Sequence, residues 1–185
     1  TVPSVTAFAL GALTSAGIDA RYPDAAVSFL VRSQTPDGDF GMNSYYCATH
    51  YYLLRPIVST LVTVGAYPAA ARARDFVLGG RQADGSFFST TEGYEGFSSP
   101  EYHTALAVET LAHSGLTAAH PAVSAAVDWL VGRQRPDGSF HGGLYATPST
   151  GRYREIERTQ HVYTTASALS ALGRLAAEER TARVR

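Results

Sequence analysis

The sequence predicts an all-α protein built from helical hairpins, about three and a half of them. Three observations carry this. A short motif recurs three times in register, as LVRSQTPDGDF at 30–40, LGGRQADGSF at 78–87 and LVGRQRPDGSF at 130–140. A proline-marked apolar stretch precedes each copy: YPDAAVSFL from Tyr22, YPAAARARDFVL from Tyr67 and HPAVSAAVDWL from His120. Around the copies lie further stretches that are apolar nearly all round, the pattern of helices buried on both sides, and no period-2 strand pattern survives beside them.

Taken in order, 4–16 reads as an inner helix. Pro23 then sits just inside an outer helix, where its missing N–H is not needed, and Asp37-Gly38 stops that helix because glycine accepts the left-handed cap conformation. The stretch at about 46–65 is the second inner helix. Pro68 opens the second outer helix, which ends at Asp84-Gly85. The third pair is 101–114 followed by the helix from Pro121 to Asp137-Gly138, and 161–177 is a fourth inner helix without a partner. The endings LVTVG (61–65), LAHSG (111–115) and LGRLA (172–176) set three inner helices in register. The repeated Gln34, Gln82 and Gln134, with Phe40, Phe87 and Phe140, are expected to lock one hairpin to the next, and 1–185 is expected to form one domain.

Composition removes several functions. Charged residues are 17% of the chain, with 15 basic against 16 acidic side chains and no run of either sign, which argues against an electrostatic nucleic-acid binder. All the basic residues are arginine. Without lysine there is no Schiff base, no pyridoxal-phosphate linkage and no P-loop. One cysteine, Cys47, allows no disulfide within the chain. No apolar run reaches the roughly 18 residues of a membrane span, and the opening segment lacks a basic leader, so a cytoplasmic location is the expectation.

The Gln-x-x-(x)-Asp-Gly-x-Phe motif behind each outer helix resembles the repeat of the terpene cyclase and prenyltransferase superfamily, with phenylalanine in place of the usual tryptophan. The resemblance implies an α/α toroid, which in that family closes with about six hairpins. Three and a half leave inner helices uncovered, so a homodimer, or another partner that completes the barrel, is expected. It also implies an apolar small-molecule substrate, an isoprenoid or similar polyene, with or without a diphosphate.

Topology puts the long connectors 41–46, 88–100 and 141–160 at one rim, beside the N-termini of inner helices, whose free N–H groups suit an anion. The rim is rich in aromatics, and Tyr45, Tyr46, Tyr51 and Phe97 are candidate substrate contacts there. Arg152, Arg154 and Arg158 crowd the last connector, either as a diphosphate clamp or as a loop neutralised by Glu155 and Glu157. Tyr102-His103-Thr104 resembles the Tyr-His-Thr segment of protein prenyltransferase β subunits, in which the histidine binds zinc, and Tyr163 begins the matching segment one repeat on. Carried over, the resemblance makes Cys47, His50 and His103 the zinc candidates, although Tyr45 stands where the family has aspartate. The other reading is a buried cysteine with hydrogen-bonded histidines. Glu109, the one acid inside an apolar inner helix, is either a proton-transfer group or the partner of an outer-ring arginine. His103, Glu109, Tyr102 and Tyr163 are thus the catalytic candidates. The Asp-x-Asp-Asp and Asp-Asp-x-x-Asp signatures of terpene cyclases are absent, as are Gly-x-Ser-x-Gly and Cys-Gly-Glu-Gln. Three functions stay open: a small cyclase or prenyltransferase, an apolar-ligand or barrel-completing module without chemistry, and a cyclase for a non-terpenoid product.

Overall fold

The computed structural model describes residues 2–19, 23–41, 49–90, 98–143 and 153–184. Within them the chain forms seven helices and no strand: α1 (Pro3–Ser15), α2 (Pro23–Arg32), α3 (His50–Thr63), α4 (Tyr67–Gly79), α5 (Pro100–His113), α6 (Pro121–Arg133) and α7 (Tyr153–Val184). The odd-numbered helices pack side by side in chain order as an inner layer. Behind them α2 backs α1, α4 backs α3 and α5, and α6 backs α5. This is the expected alternation of inner and outer helices.

One expected boundary moves. The last connector was expected to run to residue 160, but α7 is already helical from Tyr153 and extends to Val184. Arg154 and Arg158 therefore lie on the first turns of a helix, not in a loop.

The all-round apolarity of 101–114 has a direct cause. Helix α5 is flanked by α3 and α7 and backed by α4 and α6, so every residue from Glu101 to Ala112 is buried. Leu54, Ile57 and Leu61 of α3 and Leu106 and Leu111 of α5 meet Leu30, Val77 and Leu130 of the outer layer in one core. Ser99 caps α5 by accepting from the Tyr102 N–H at 3.1 Å, and Thr49 caps α3 by accepting from Tyr51 at 3.3 Å.

The repeated turns carry the hairpin contacts. Asp84 Oδ1 accepts from the Ser86 N–H at 3.0 Å and the Ser86 hydroxyl at 2.7 Å, and Asp137 does the same with Ser139 at the same distances. These serine hydroxyls first, and then their backbone N–H groups, hold both carboxyls below the ordinary aspartate range. Each of the first two turns also seats on the next outer helix. The Gln34 amide donates to the carbonyls of Gly38 and Ala69, both at 2.9 Å, and Trp129 Nε1 donates to Asp84 Oδ2 at 2.9 Å. Gly38 (φ +95°) lies so close to the Arg72 carbonyl that a β-carbon would run into it, and Gly85 (φ +93°) approaches the Ala125 carbonyl less closely, where a β-carbon would be tight at 3.1 Å. The glutamine lock holds for Gln34. Gln82 and Gln134 instead bond locally, to the carbonyls of Gly80 and Gly138.

A second contact ties the second and third turns to the following inner helix. The Phe87 N–H donates to Thr104 Oγ1 at 3.0 Å, and the Phe140 N–H donates to Thr165 Oγ1 at 3.0 Å. Thr104 and Thr165 are thereby equivalent positions, which puts Tyr102 of α5 and Tyr163 of α7 in register. The aligned helix endings extend that register to Tyr52 of α3.

Candidate functional site

Two groups of side chains sit where these elements converge. The first is at the rim, where α3 and α5 begin and the second turn passes over them. His103 is fully buried and accepts from the Ser89 N–H on Nδ1 at 3.4 Å. Its ring lies against Phe88, with centroids 4.5 Å apart, and edge-on to Tyr51 at 6.2 Å. His50, the first residue of α3, places Nδ1 2.7 Å from the Ser89 hydroxyl and Nε2 3.7 Å from Asp39 Oδ2. Tyr51 is fully buried, with its hydroxyl pressed against Gly80. Burial pushes its phenol well above the ordinary tyrosine value, with Ser89 acting in the opposite direction. Tyr51 thus stands inside the wall rather than on a ligand-facing surface.

The second group crosses the inner layer. Arg55 of α3 donates from Nη1 to Glu109 Oε2 of α5 at 3.1 Å, and Ser170 of α7 donates to Glu109 Oε1 at 2.9 Å. The arginine expected for Glu109 is present, but it comes from the inner layer and not from the outer ring. One turn along α5, His113 is held down to about pKa 4, first by burial and then by Arg174 and Arg55, with Glu109 opposing. Tyr52 and Tyr102 stand in the first turns of α3 and α5, and Tyr163, in register with them, lies three turns into α7. Tyr102 is buried and Tyr163 is largely exposed. The inner layer therefore carries a polar chain beneath its tyrosines.

Of the other candidates, Tyr45, Tyr46, Cys47, Phe97 and Arg152 lie outside the described residues. Both candidate zinc histidines have Ser89 as a hydrogen-bonding neighbour. Among the described residues no three His, Cys, Asp or Glu side chains are placed to hold a metal ion. Sequence reasoning did not single out Ser89, Asp39, Arg55 or His113 for a site. Arg55 had a signal: it is the one arginine in its inner stretch, and Glu109 is the acid in the middle of the next, beyond Glu101 at that stretch's start.

No protein-family model and no curated protein matches the chain. Solved structures do. A protein from Actinoplanes superposes with a TM-score of 0.66 at 27% identity, covering 94% of this chain and 55% of that one. The ent-copalyl diphosphate synthase from Streptomyces platensis superposes at 0.61 with 24% identity, over 93% of this chain and 33% of that one. The type II terpene cyclase MstE from Scytonema superposes at 0.60 with 19% identity, over 82% of this chain and 51% of that one. The chain has a terpene-cyclase-like fold. It spans 55%, 33% and 51% of these three proteins, so the helices described above correspond to part of each. In this terpene-cyclase-like frame the rim group and the polar chain both belong to the inner helices and their entry turns. No helix among the described residues is long and apolar enough to cross a membrane.

Proposed function

We propose that this chain forms part of a terpene-cyclase-like enzyme acting on an isoprenoid or similarly apolar polyene, with the inner face of α3, α5 and α7 as its reaction surface. The observation that carries the reading is the alignment of Tyr52, Tyr102 and Tyr163 at one register above the Arg55–Glu109–Ser170 chain and His113. Aromatic faces stabilise a cation by about 0.5–2 kcal/mol each, depending on desolvation. Glu109, which accepts on both oxygens, and the neutral His113 are acceptors for the proton that a carbocation loses when it collapses to an alkene. Arg55 and Arg174 supply guanidinium groups suited to a diphosphate. The acid signatures that start terpene cyclisation are absent from these 185 residues. The part assigned to this chain is therefore cation stabilisation and proton removal.

Calorimetric titration with geranylgeranyl diphosphate tests the reading, paired with gas chromatography of the extracted products. Saturable binding is expected, weakened about fivefold, roughly 1 kcal/mol, by Tyr102→Ala or Tyr163→Ala. Binding that neither substitution disturbs would count against the inner face. Binding without product would favour the second reading, a barrel-completing module without chemistry. That reading has its own support: the outer edges of α1 and α7 are apolar and uncovered, with Val5 63%, Phe8 50%, Val162 70% and Leu169 56% exposed.

A further inference from the structure

The rim holds a group that the cyclase reading does not use. Asp39 comes from the turn after α2, His50 from the first turn of α3 and Ser89 from the segment after the second turn. With the imidazole proton on Nε2, the Ser89 hydroxyl donates to His50 Nδ1 at 2.7 Å, and Nε2–H faces Asp39 Oδ2 at 3.7 Å. The carboxylate is itself steadied by the Gly41 N–H, which donates to Oδ2 at 3.1 Å. Phe76 meets the His50 ring edge-on, with centroids 5.6 Å apart.

Two members of this group depart from the repeat that surrounds them. The other two turns read Asp-Gly-Ser-Phe, and their serine closes the turn onto the preceding aspartate. The first reads Asp-Gly-Asp-Phe, and its second carboxylate points to His50. The Ser89 backbone does a repeat duty, donating its N–H to His103 as the Gly142 N–H donates to His161 at 2.7 Å one repeat later. Glycine at the equivalent place shows that this duty needs no side chain, so the Ser89 hydroxyl is an addition. Local departures from an otherwise consistent pattern concentrate at functional sites.

We propose that Ser89 is a nucleophile activated by His50, with Asp39 as the positioning residue, and that the rim transfers the acyl group of an apolar ester to water. The arrangement follows the roles of a Ser-His-Asp triad with the two ring nitrogens exchanged, and such triads are defined by roles and geometry, not by chain order. Ser89 gives its proton to His50 Nδ1 as Oγ bonds to the ester carbonyl carbon. The bond from that carbon to the alcohol oxygen breaks, and the alcohol leaves with the proton held by His50. Water then attacks the acyl-serine, passing its proton through His50 back to Ser89 Oγ. Phe76, Phe88 and Tyr51 make the surroundings apolar, which sets the ester class. The proposal is independent of the cyclase reading.

The test uses the 185-residue chain and an alkyl fluorophosphonate, followed by intact mass and peptide mapping. One adduct on Ser89 is expected, absent in Ser89→Ala and slowed roughly 100-fold or more in His50→Gln, the scale of a general base. Asp39→Asn should slow labelling, and Asp39→Glu should restore it, which a purely structural role for the turn would not produce. Circular dichroism identifies any variant that does not fold. An unmodified Ser89 in the wild-type chain overturns the proposal whatever the variants do, and so does a labelling rate unchanged in folded His50→Gln.

Discussion

Burial, then Arg174 and Arg55, lower the His113 pKa from 6.5 to about 4. The folded protein therefore keeps this imidazole neutral across a range in which the unfolded chain binds a proton. Stability contributed by the neutral ring is present above pH 6.5 and is lost as pH falls toward about 4. His113→Gln should flatten this part of the acid dependence, read as the difference between variant and wild-type urea midpoints across the window. A variant as acid-sensitive as wild type would remove His113 as a source. The Glu109 pair gives a second prediction. Side-chain exposure is 28% for Arg55 and 8% for Glu109, so replacing the acid by alanine strands a half-buried guanidinium and the Ser170 hydroxyl. The expected loss is about 2 kcal/mol by urea denaturation, and Arg55→Met in the same background should recover part of it. At this scale the sequence was only partly legible. Arg55 and the mid-helix Glu109 stand out in their helices, but the pair is 54 positions apart, and nothing local states that those two faces meet.

Elements were more legible, because their signals are local. Prolines at helix starts, Asp-Gly at turns and the aligned inner-helix endings all mark boundaries within a few residues of where they act. The misplaced start of α7 has an equally local cause. Residues 153–160 are mostly polar or charged, which reads as a loop when apolar periodicity is the criterion, although arginine, glutamate and glutamine are good helix formers. The contact of the second and third turns with the next inner helix supplies the prediction here. Thr104→Val leaves the buried Phe87 N–H without its acceptor and should cost about 1–3 kcal/mol. Thr165→Val breaks the same bond at Phe140, where the pair is only partly buried, and should cost less. Equal losses would show that burial does not set the difference.

Among the described residues of the whole molecule, apolar edges lie on α1 and α7, and of the three Asp-Gly turns the first two are seated on a following outer helix. At the third, Gly138 has only the Gln134 side chain nearby, at 3.9 Å, where Gly38 and Gly85 meet the backbone of α4 and α6. Repeat arrays bury each face against a neighbour, so these ends suit a second copy of the chain or another set of hairpins. Light scattering on the purified chain should therefore report a mass above 19.7 kDa. Phe8→Arg or Leu169→Arg should lower that mass by placing a charge on an edge. A wild-type monomer at micromolar concentration would show that the chain does not pair with itself.

The sequence by itself determined the helical class, the hairpin repeat, the alternation of inner and outer layers and the likeness to terpene cyclases. All of these rest on periodicity and on motifs of about ten residues, which one stretch of chain displays in full. The tertiary structure alone decided which side chains meet. Thirty-nine positions separate His50 from Ser89 and sixty-one separate Glu109 from Ser170, and packing across hairpins brings each pair within hydrogen-bonding distance. Tyr51, read as a substrate contact, is fully buried and Tyr163, read as a catalytic candidate, is largely exposed, for the same reason. A tyrosine on an inner helix is buried or exposed according to what packs beside that helix, and only the assembled layers supply that neighbour.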